Sequence, residues 1–458
     1  MVSRLRSYPA TPLLVLALIS IVSLGARSLL LDEPCQSPCT KAQQHTMIFD
    51  EAYYVNAARV IAGIRPPVGD HYNDAPLGTD PNAEHPQLAK LIIAGAIELF
   101  GDGPFAWRIG SLIFGSLAIL GMFGLVRAAG GGRWTAVFAS FLMAGDNLLL
   151  VHSRIGTLDV YVVAAMIWAV AFYLRDRALL AGLTLAVAFA FKLVAPYVIA
   201  VLALLELLRL AIKWRRPDAP DQWRPRPAVG RWVITTFTAC GVFMGLLGVM
   251  DRIATPYNDA AAVLITGGPF DHLGHMIAYA AQQVSPHGPK GIASYPWDWL
   301  VDAKTIVYLR INPSLPGDGL YAVHPVVKFL GFISPPILAL AWPGVAFAVY
   351  RLIRMPRQVA GGTAGAATRA LSDLDLPIIA VSWFLGTWIP FALLSLVDQR
   401  TSYLYYMVIV MPGLYVAVAY LASWAWLLHR RWVSLLTILF AVSVVVAAVL
   451  LYPFVPVF

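Results

Sequence analysis

Eleven apolar runs divide this 458-residue chain, near residues 10–31, 105–126, 134–151, 158–174, 178–193, 195–212, 232–250, 325–350, 376–397, 402–427 and 433–456. A helix needs about 20 apolar residues to cross the hydrocarbon core of a bilayer. Lipid also obliges a spanning segment to satisfy its own backbone hydrogen bonds, so each run is expected as a transmembrane helix. Hydrophobic residues make up 59% of the chain and charged residues 13%, more apolar surface than a soluble domain can hide. The expected class is an all-α polytopic membrane protein. The first run follows the basic start "MVSRLR" and resembles a secretory signal, but further spans follow, so it reads as an uncleaved first helix.

The formal charge of +8 points to membrane topology rather than to nucleic acid, because of where the charges fall. With the N-terminus in the cytoplasm, every even-numbered loop is basic. These loops carry Arg127 and Arg133, then Arg175 and Arg177, then "KWRRPDAPDQWRPRPAVGR", "RLIRMPRQVAGGTAGAATR" and "HRR". Two long loops, 32–104 and 251–324, then lie outside. Each contains an amphipathic stretch too short to span: "HPQLAKLIIAGAIELFG", with Leu88, Leu91, Ile92 and Leu99 at helical spacing, and "FDHLGHMIAYAAQQV", with Phe270, Leu273, Ile277 and Ala280. The chain therefore divides into a membrane module at 1–250 that includes the first outer loop, a second outer loop at 251–324, and terminal helices at 325–458. The Gly/Ala-rich 358–370 stretch reads as a flexible linker. No repeat of fixed period is present.

Three cysteines build no metal framework. Cys35 and Cys39 of "CQSPC" are able to form a local disulfide if their loop is exocytoplasmic, and Cys240 stands alone in an apolar run.

Ionisable residues at the outer boundary are the candidates for chemistry. "IFDEAYYVNAARVIAG" places Asp50 beside Glu51 at a helix start; a carboxylate there serves either as a general base or as an N-cap. "EHPQLAK" offers Glu84 and His85, or simply a helix start with Pro86 in its first turn. In "VHSRIGTLDVYV", Arg154 and Asp159 either act at a site or neutralise one another. Arg108, Lys192 and Arg400 run against the charge rule on the outer side. They suit an anionic head group, or ordinary snorkelling to lipid phosphates. Asp373 and Asp375 form a D-x-D on the cytoplasmic side and read as a solvated helix start. No nucleotide-binding phosphate loop is present.

"FDEAYYVNAAR" followed by "HPQLAKLIIAGAIELFGDGPFAWRIGS" closely resembles the protein O-mannosyltransferase family, membrane glycosyltransferases of the GT-C fold that use a polyprenyl-phosphate sugar. "VHSRIGTLDVYV", "ASYPWDWLVDAKTIVYLR" and "RTSYLYYMVIVMPGLYVAVA" resemble further family stretches in the same order. The resemblance implies a GT-C architecture of about 11 transmembrane helices, with two large exocytoplasmic loops carrying interfacial helices. It makes Asp50 the catalytic base, with Glu51 beside it, and matches His85 to an "H-P" step. Arg108 is matched to an arginine holding the lipid-linked phosphate, Asp159 to an acid used in the wider fold for metal or donor binding, and Arg400 to a phosphate contact. A divalent cation is an optional partner of that acid. The family's soluble repeat domain has no counterpart, since 251–324 is too short for it.

Such a carrier already supplies a good leaving group, so one base and several cations at membrane level suffice. Asp50 with Arg108, Lys192 and Arg400 supplies that set. The expected activity is inverting transfer of mannose from a polyprenyl phosphate to a Ser or Thr hydroxyl of an exported protein, in the plasma membrane. A lipid or cell-wall glycan acceptor remains open. A transporter or flippase is the rival class, although long outer loops and absent symmetry count against it.

Overall fold

The structure, a computed structural model, describes residues 10–216, 219–321, 326–354 and 374–456. Helices occupy all eleven apolar runs. In chain order they are α1 Thr11–Ser28, α2 Glu51–Ile61, α3 Leu88–Phe100, α4 Pro104–Ala128, α5 Arg133–Gly145, α6 Asn147–His152, α7 Asp159–Tyr173, α8 Ala178–Phe191, α9 Tyr197–Arg215, α10 Pro225–Ile253, α11 Pro269–Gln282, α12 Pro335–Ile353, α13 Asp375–Val397, α14 Met407–Leu427 and α15 Arg431–Leu450. Among the described residues, seven stretches are long and apolar enough to cross a membrane: α1, α4, α10, α12, α13, Leu404–Leu427 (α14 and the turn before it) and α15. The amphipathic stretches of the two long loops fold as α3 and α11, as their periodicity predicts, and α2 opens at the Asp50–Glu51 start.

At the centre lies α14, buried over most of its length and packed against α12 and α13. Glycines let α14 meet α13, and α13 meet α9, backbone to backbone. A Cβ on Gly413 would come 2.8 Å from the Phe384 nitrogen, and one on Gly386 would come 2.7 Å from Val201 Cα. Small residues at such crossings are how helices pack tightly where lipid offers no hydrophobic drive. Peripheral α15 buries only Val433 and Val444 of its 20 residues, which leaves a lipid-facing surface.

Two expected spans are interrupted. The 134–151 run breaks at Asp146 into α5 and α6. The Asp146 carboxylate accepts from the Ser334 amide at 2.8 Å and from the Tyr415 hydroxyl at 2.5 Å, so the break is tied to the start of α12 and to α14. The 325–350 run merges a strand with a helix: β5, Val327–Gly331, pairs antiparallel with β4, Ile306–Ile311, before Pro335 opens α12. Branched and aromatic residues in "VKFLG" suit a strand.

The two long loops meet at one end of the bundle. Strand β1 (Thr79–Asp80) runs parallel to β2 (Thr255–Asn258), which pairs with β3 (Val263–Leu264), and the Ser37 amide donates to the Leu320 carbonyl at 2.8 Å. The opposite end holds a buried knot in which Glu206 accepts from Tyr173, Arg209 and Arg231. Asp375 opens α13 as expected, yet it is paired with Arg209 at 3.0 Å rather than solvated. Asp373 and the 358–370 linker lie outside the described residues.

Candidate active site

Beneath the joined loops lies a cavity of about 910 Å³. It gathers residues distant in sequence: Asp50 and Tyr54 from α2 and its start, Glu84 and His85 from the turn before α3, Lys192 from the end of α8, and Arg400, Tyr405 and Tyr406 from the α13–α14 connection. Phe49 is held in the left-handed region (φ 56°), uncommon for a bulky residue, with its ring stacked on Tyr308 at 4.3 Å. That bend immediately precedes Asp50.

Asp50 stands at the N-terminus of α2 but makes no side-chain capping hydrogen bond. Its carboxyl lines the cavity instead. Burial pushes its pKa up to about 7, while the charge of Lys192 pulls it down and that of Asp159 pushes it further up. A carboxyl poised there exchanges a proton readily near neutral pH. Burial, aided by the cations Lys192, Lys90 and Arg400, drives the His85 imidazole well below its ordinary range, so it is neutral. Glu84 is raised, chiefly by burial.

Lys192 is presented by its neighbours. Its ammonium donates to Asp159 Oδ1 at 2.7 Å and sits 5.3 Å and 5.6 Å from the ring centres of Tyr405 and Tyr406. Asp159, the first residue of α7, also lies 3.8 Å from His152 Nδ1, and His152 Nε2 meets the Tyr308 hydroxyl at 2.8 Å. Arg400 donates to the Ala280 carbonyl, which ties the α13–α14 connection to α11.

The remaining sequence candidates lie behind the cavity wall. Glu51 is fully buried and receives both Nε and Nη2 of Arg108 at 2.8 Å, the Gly156 amide at 2.7 Å and the Ile48 amide at 2.8 Å. Arg108, 1% exposed, spends its third nitrogen on the Leu31 and Glu33 carbonyls. The pair knots α2 to α4; here the guanidinium expected at the phosphate faces a carboxylate. Arg154 and Asp159 do not neutralise each other. Arg154 donates to the Tyr452 hydroxyl at 3.0 Å and the Leu29 carbonyl at 2.9 Å, under the rings of Phe329, Tyr452 and Phe454.

Sequence reading passed over Lys90, Asp80 and the tyrosines 54, 405 and 406. A tyrosine in an apolar stretch carries no positional signal of its own, and the Asp80–Lys90 spacing matches neither helical nor strand periodicity.

Among the described residues, one group of three metal-ligating side chains lies close enough to share an ion: Cys35, Cys39 and His45. Cys35 and Cys39 are bonded to each other, which removes both thiolates as ligands. The cavity offers Asp50, Glu84 and His85 in no comparably tight group, so Lys192 and Arg400 are its ready positive charges.

Comparison with known proteins bears on the fold and on part of the sequence. The family model for dolichyl-phosphate-mannose-protein mannosyltransferases matches residues 84–218. A polyprenol-phosphate-mannose–protein mannosyltransferase of Corynebacterium glutamicum is 35% identical over 137 residues, 29% of this chain and 25% of that protein, so the match spans about a quarter of the relative. Among solved structures, the protein O-mannosyltransferase Pmt1–Pmt2 complex of Saccharomyces cerevisiae bound to its sugar donor aligns with a TM-score of 0.72 at 11% identity, covering 99% of this chain and 91% of that one. ArnT from Cupriavidus metallidurans bound to undecaprenyl phosphate aligns with a TM-score of 0.52 at 15% identity, over 97% and 76%. At these identities the structures speak for the fold. Residues 84–218 thus resemble the dolichyl-phosphate-mannose-protein mannosyltransferase family, and along its length the chain carries the GT-C fold.

Proposed function

We propose that the protein transfers mannose from a polyprenyl phosphate to a Ser or Thr hydroxyl of an exported protein, with inversion at the anomeric carbon. One observation carries the reading: a carboxyl near neutrality, Asp50, shares a cavity with two cations, Lys192 and Arg400. Asp50 takes the proton of the acceptor hydroxyl as its oxygen attacks the anomeric carbon. The bond from that carbon to the phosphate oxygen breaks with its electron pair, and the polyprenyl phosphate leaves toward Lys192 and Arg400. Asp50 then releases its proton to water. Charge-assisted contacts to a departing phosphate strengthen as negative charge develops, and this lowers the barrier. His85, neutral, is suited to hydrogen-bond the sugar or phosphate.

A cavity of about 910 Å³ is near the upper end for small-molecule sites. It has room for a sugar phosphate and an extended stretch of acceptor, not for a folded domain. The basic loops favour a topology with this end of the bundle outside the plasma membrane and the N-terminus in the cytoplasm. Membranes carrying the chain, given radiolabelled polyprenyl-phosphate mannose and a Ser/Thr-rich peptide, are expected to label the peptide. Label in lipid or glycan instead would move the acceptor; no label at all with an active donor would overturn the reading.

A further inference from the structure

Lys90 is fully buried, and so is its partner Asp80. The ammonium has three hydrogens, and all three go to the turn that precedes its own helix: to Asp80 Oδ2 at 2.6 Å, to the Asn82 carbonyl and to the His85 carbonyl at 2.9 Å. Asp80 Oδ1 accepts from the Asn82 amide at 3.1 Å. The Asn82 side-chain amide then donates to Glu84 Oε2 at 3.1 Å and to the Tyr72 hydroxyl at 3.0 Å. From the second loop, the Ala83 carbonyl is held by His272 Nε2 at 3.1 Å. Burying an ion pair costs about as much in desolvation as the attraction returns, so stability alone is a weak reason for such a pair. Fixing one geometry is a better one, and the geometry fixed here is that of the residues entering the cavity.

We infer that Lys90, with Asp80, is a positioning residue for the transfer reaction: the pair grips residues 80–85 from behind and holds Glu84 and His85 against the cavity. This rests on the function proposed above. Neither Lys90 nor Asp80 lines the cavity, so their effect must pass through the turn.

The test uses the full chain in membranes. The double variant Lys90→Met with Asp80→Asn removes both charges together and avoids stranding one of them. Its yield and melting are expected to stay near wild type, while kcat falls about tenfold to a hundredfold with donor KM little changed, as misplacement of a site group by about 1 Å produces. Adding His85→Ala should then cost no more than His85→Ala alone, because residues acting through one another are not additive. Unchanged kcat in the double variant, or losses that multiply with His85→Ala, would overturn the inference. A second measurement needs no turnover. In a Cys240→Ala background, Glu84→Cys should react with N-ethylmaleimide at least tenfold faster once Lys90 and Asp80 are replaced. Equal labelling rates in the two backgrounds refute the grip. If the wild type transfers no sugar, the proposed reaction fails and the labelling rates alone decide the role of Lys90.

Discussion

Glu51 and Arg108 close a two-point ion pair, Nε to Oε1 and Nη2 to Oε2 at 2.8 Å each, between the start of α2 and the start of α4. Both side chains are at most 2% exposed. Removing one partner of a buried pair strands the other, at a cost of about 3–5 kcal/mol. Arg108→Ala should therefore lower membrane yield and melting temperature, while the donor KM of the surviving enzyme stays near wild type. A variant that melts normally but needs far more donor would return Arg108 to the phosphate.

Lys192 is expected to show the opposite pattern. It faces the cavity, and Asp159 and two tyrosine rings already hold it. Lys192→Met should lower donor kcat/KM about tenfold to a hundredfold, the value of a charge-assisted contact of about 1.5–3 kcal/mol. Asp159→Asn should do less, since the ammonium survives and only its orientation loosens. Donor titration at fixed peptide separates the two. Wild-type donor dependence in Lys192→Met would pass the phosphate to Arg400.

Much of this was legible in the chain. Run length and composition foretell a helical membrane body, and helical spacing foretells α3 and α11. The break at Asp146 was not legible, because its cause is a contact with Ser334, 188 residues away. The site was legible in part. Asp50, His85, Lys192 and Arg400 do meet in one cavity, whereas Arg108 and Arg154 are buried without lining it. Charge against the topology rule marks a residue as needing a reason. It does not say whether that reason is a substrate or a buried carboxylate.

Orientation is open to direct labelling. In a Cys240→Ala background, His287→Cys in the second long loop should react with an impermeant maleimide added to intact cells. Gln222→Cys, in the basic loop before α10, should react only after lysis. The reverse pattern would put the cavity on the cytoplasmic face, where it could not meet exported proteins.

Asp50 joins stability to function through one proton. Its folded pKa is about 7, against an ordinary 3.8. Between those values the folded protein holds a proton that the unfolded chain has released, so stability falls as pH rises from about 4 to 7. The loss is complete above about pH 7 and amounts to some 4 kcal/mol, at 1.36 kcal/mol per unit. Asp50→Asn carries no charge to bury, and with no capping hydrogen bond at this position it has no cap to lose. The variant should melt higher than wild type at pH 8 and about equally at pH 4. Transfer should move the other way. Wild-type kcat/KM should climb about tenfold per pH unit up to about 7 and then level, as the base form fills. The Asn variant should run at least about a hundredfold slower with no such limb, the usual share of a general base. Normal transfer by Asp50→Asn would remove the base from the mechanism. A variant both inactive and less stable at pH 8 would show that the carboxylate is held by contacts that burial alone does not describe.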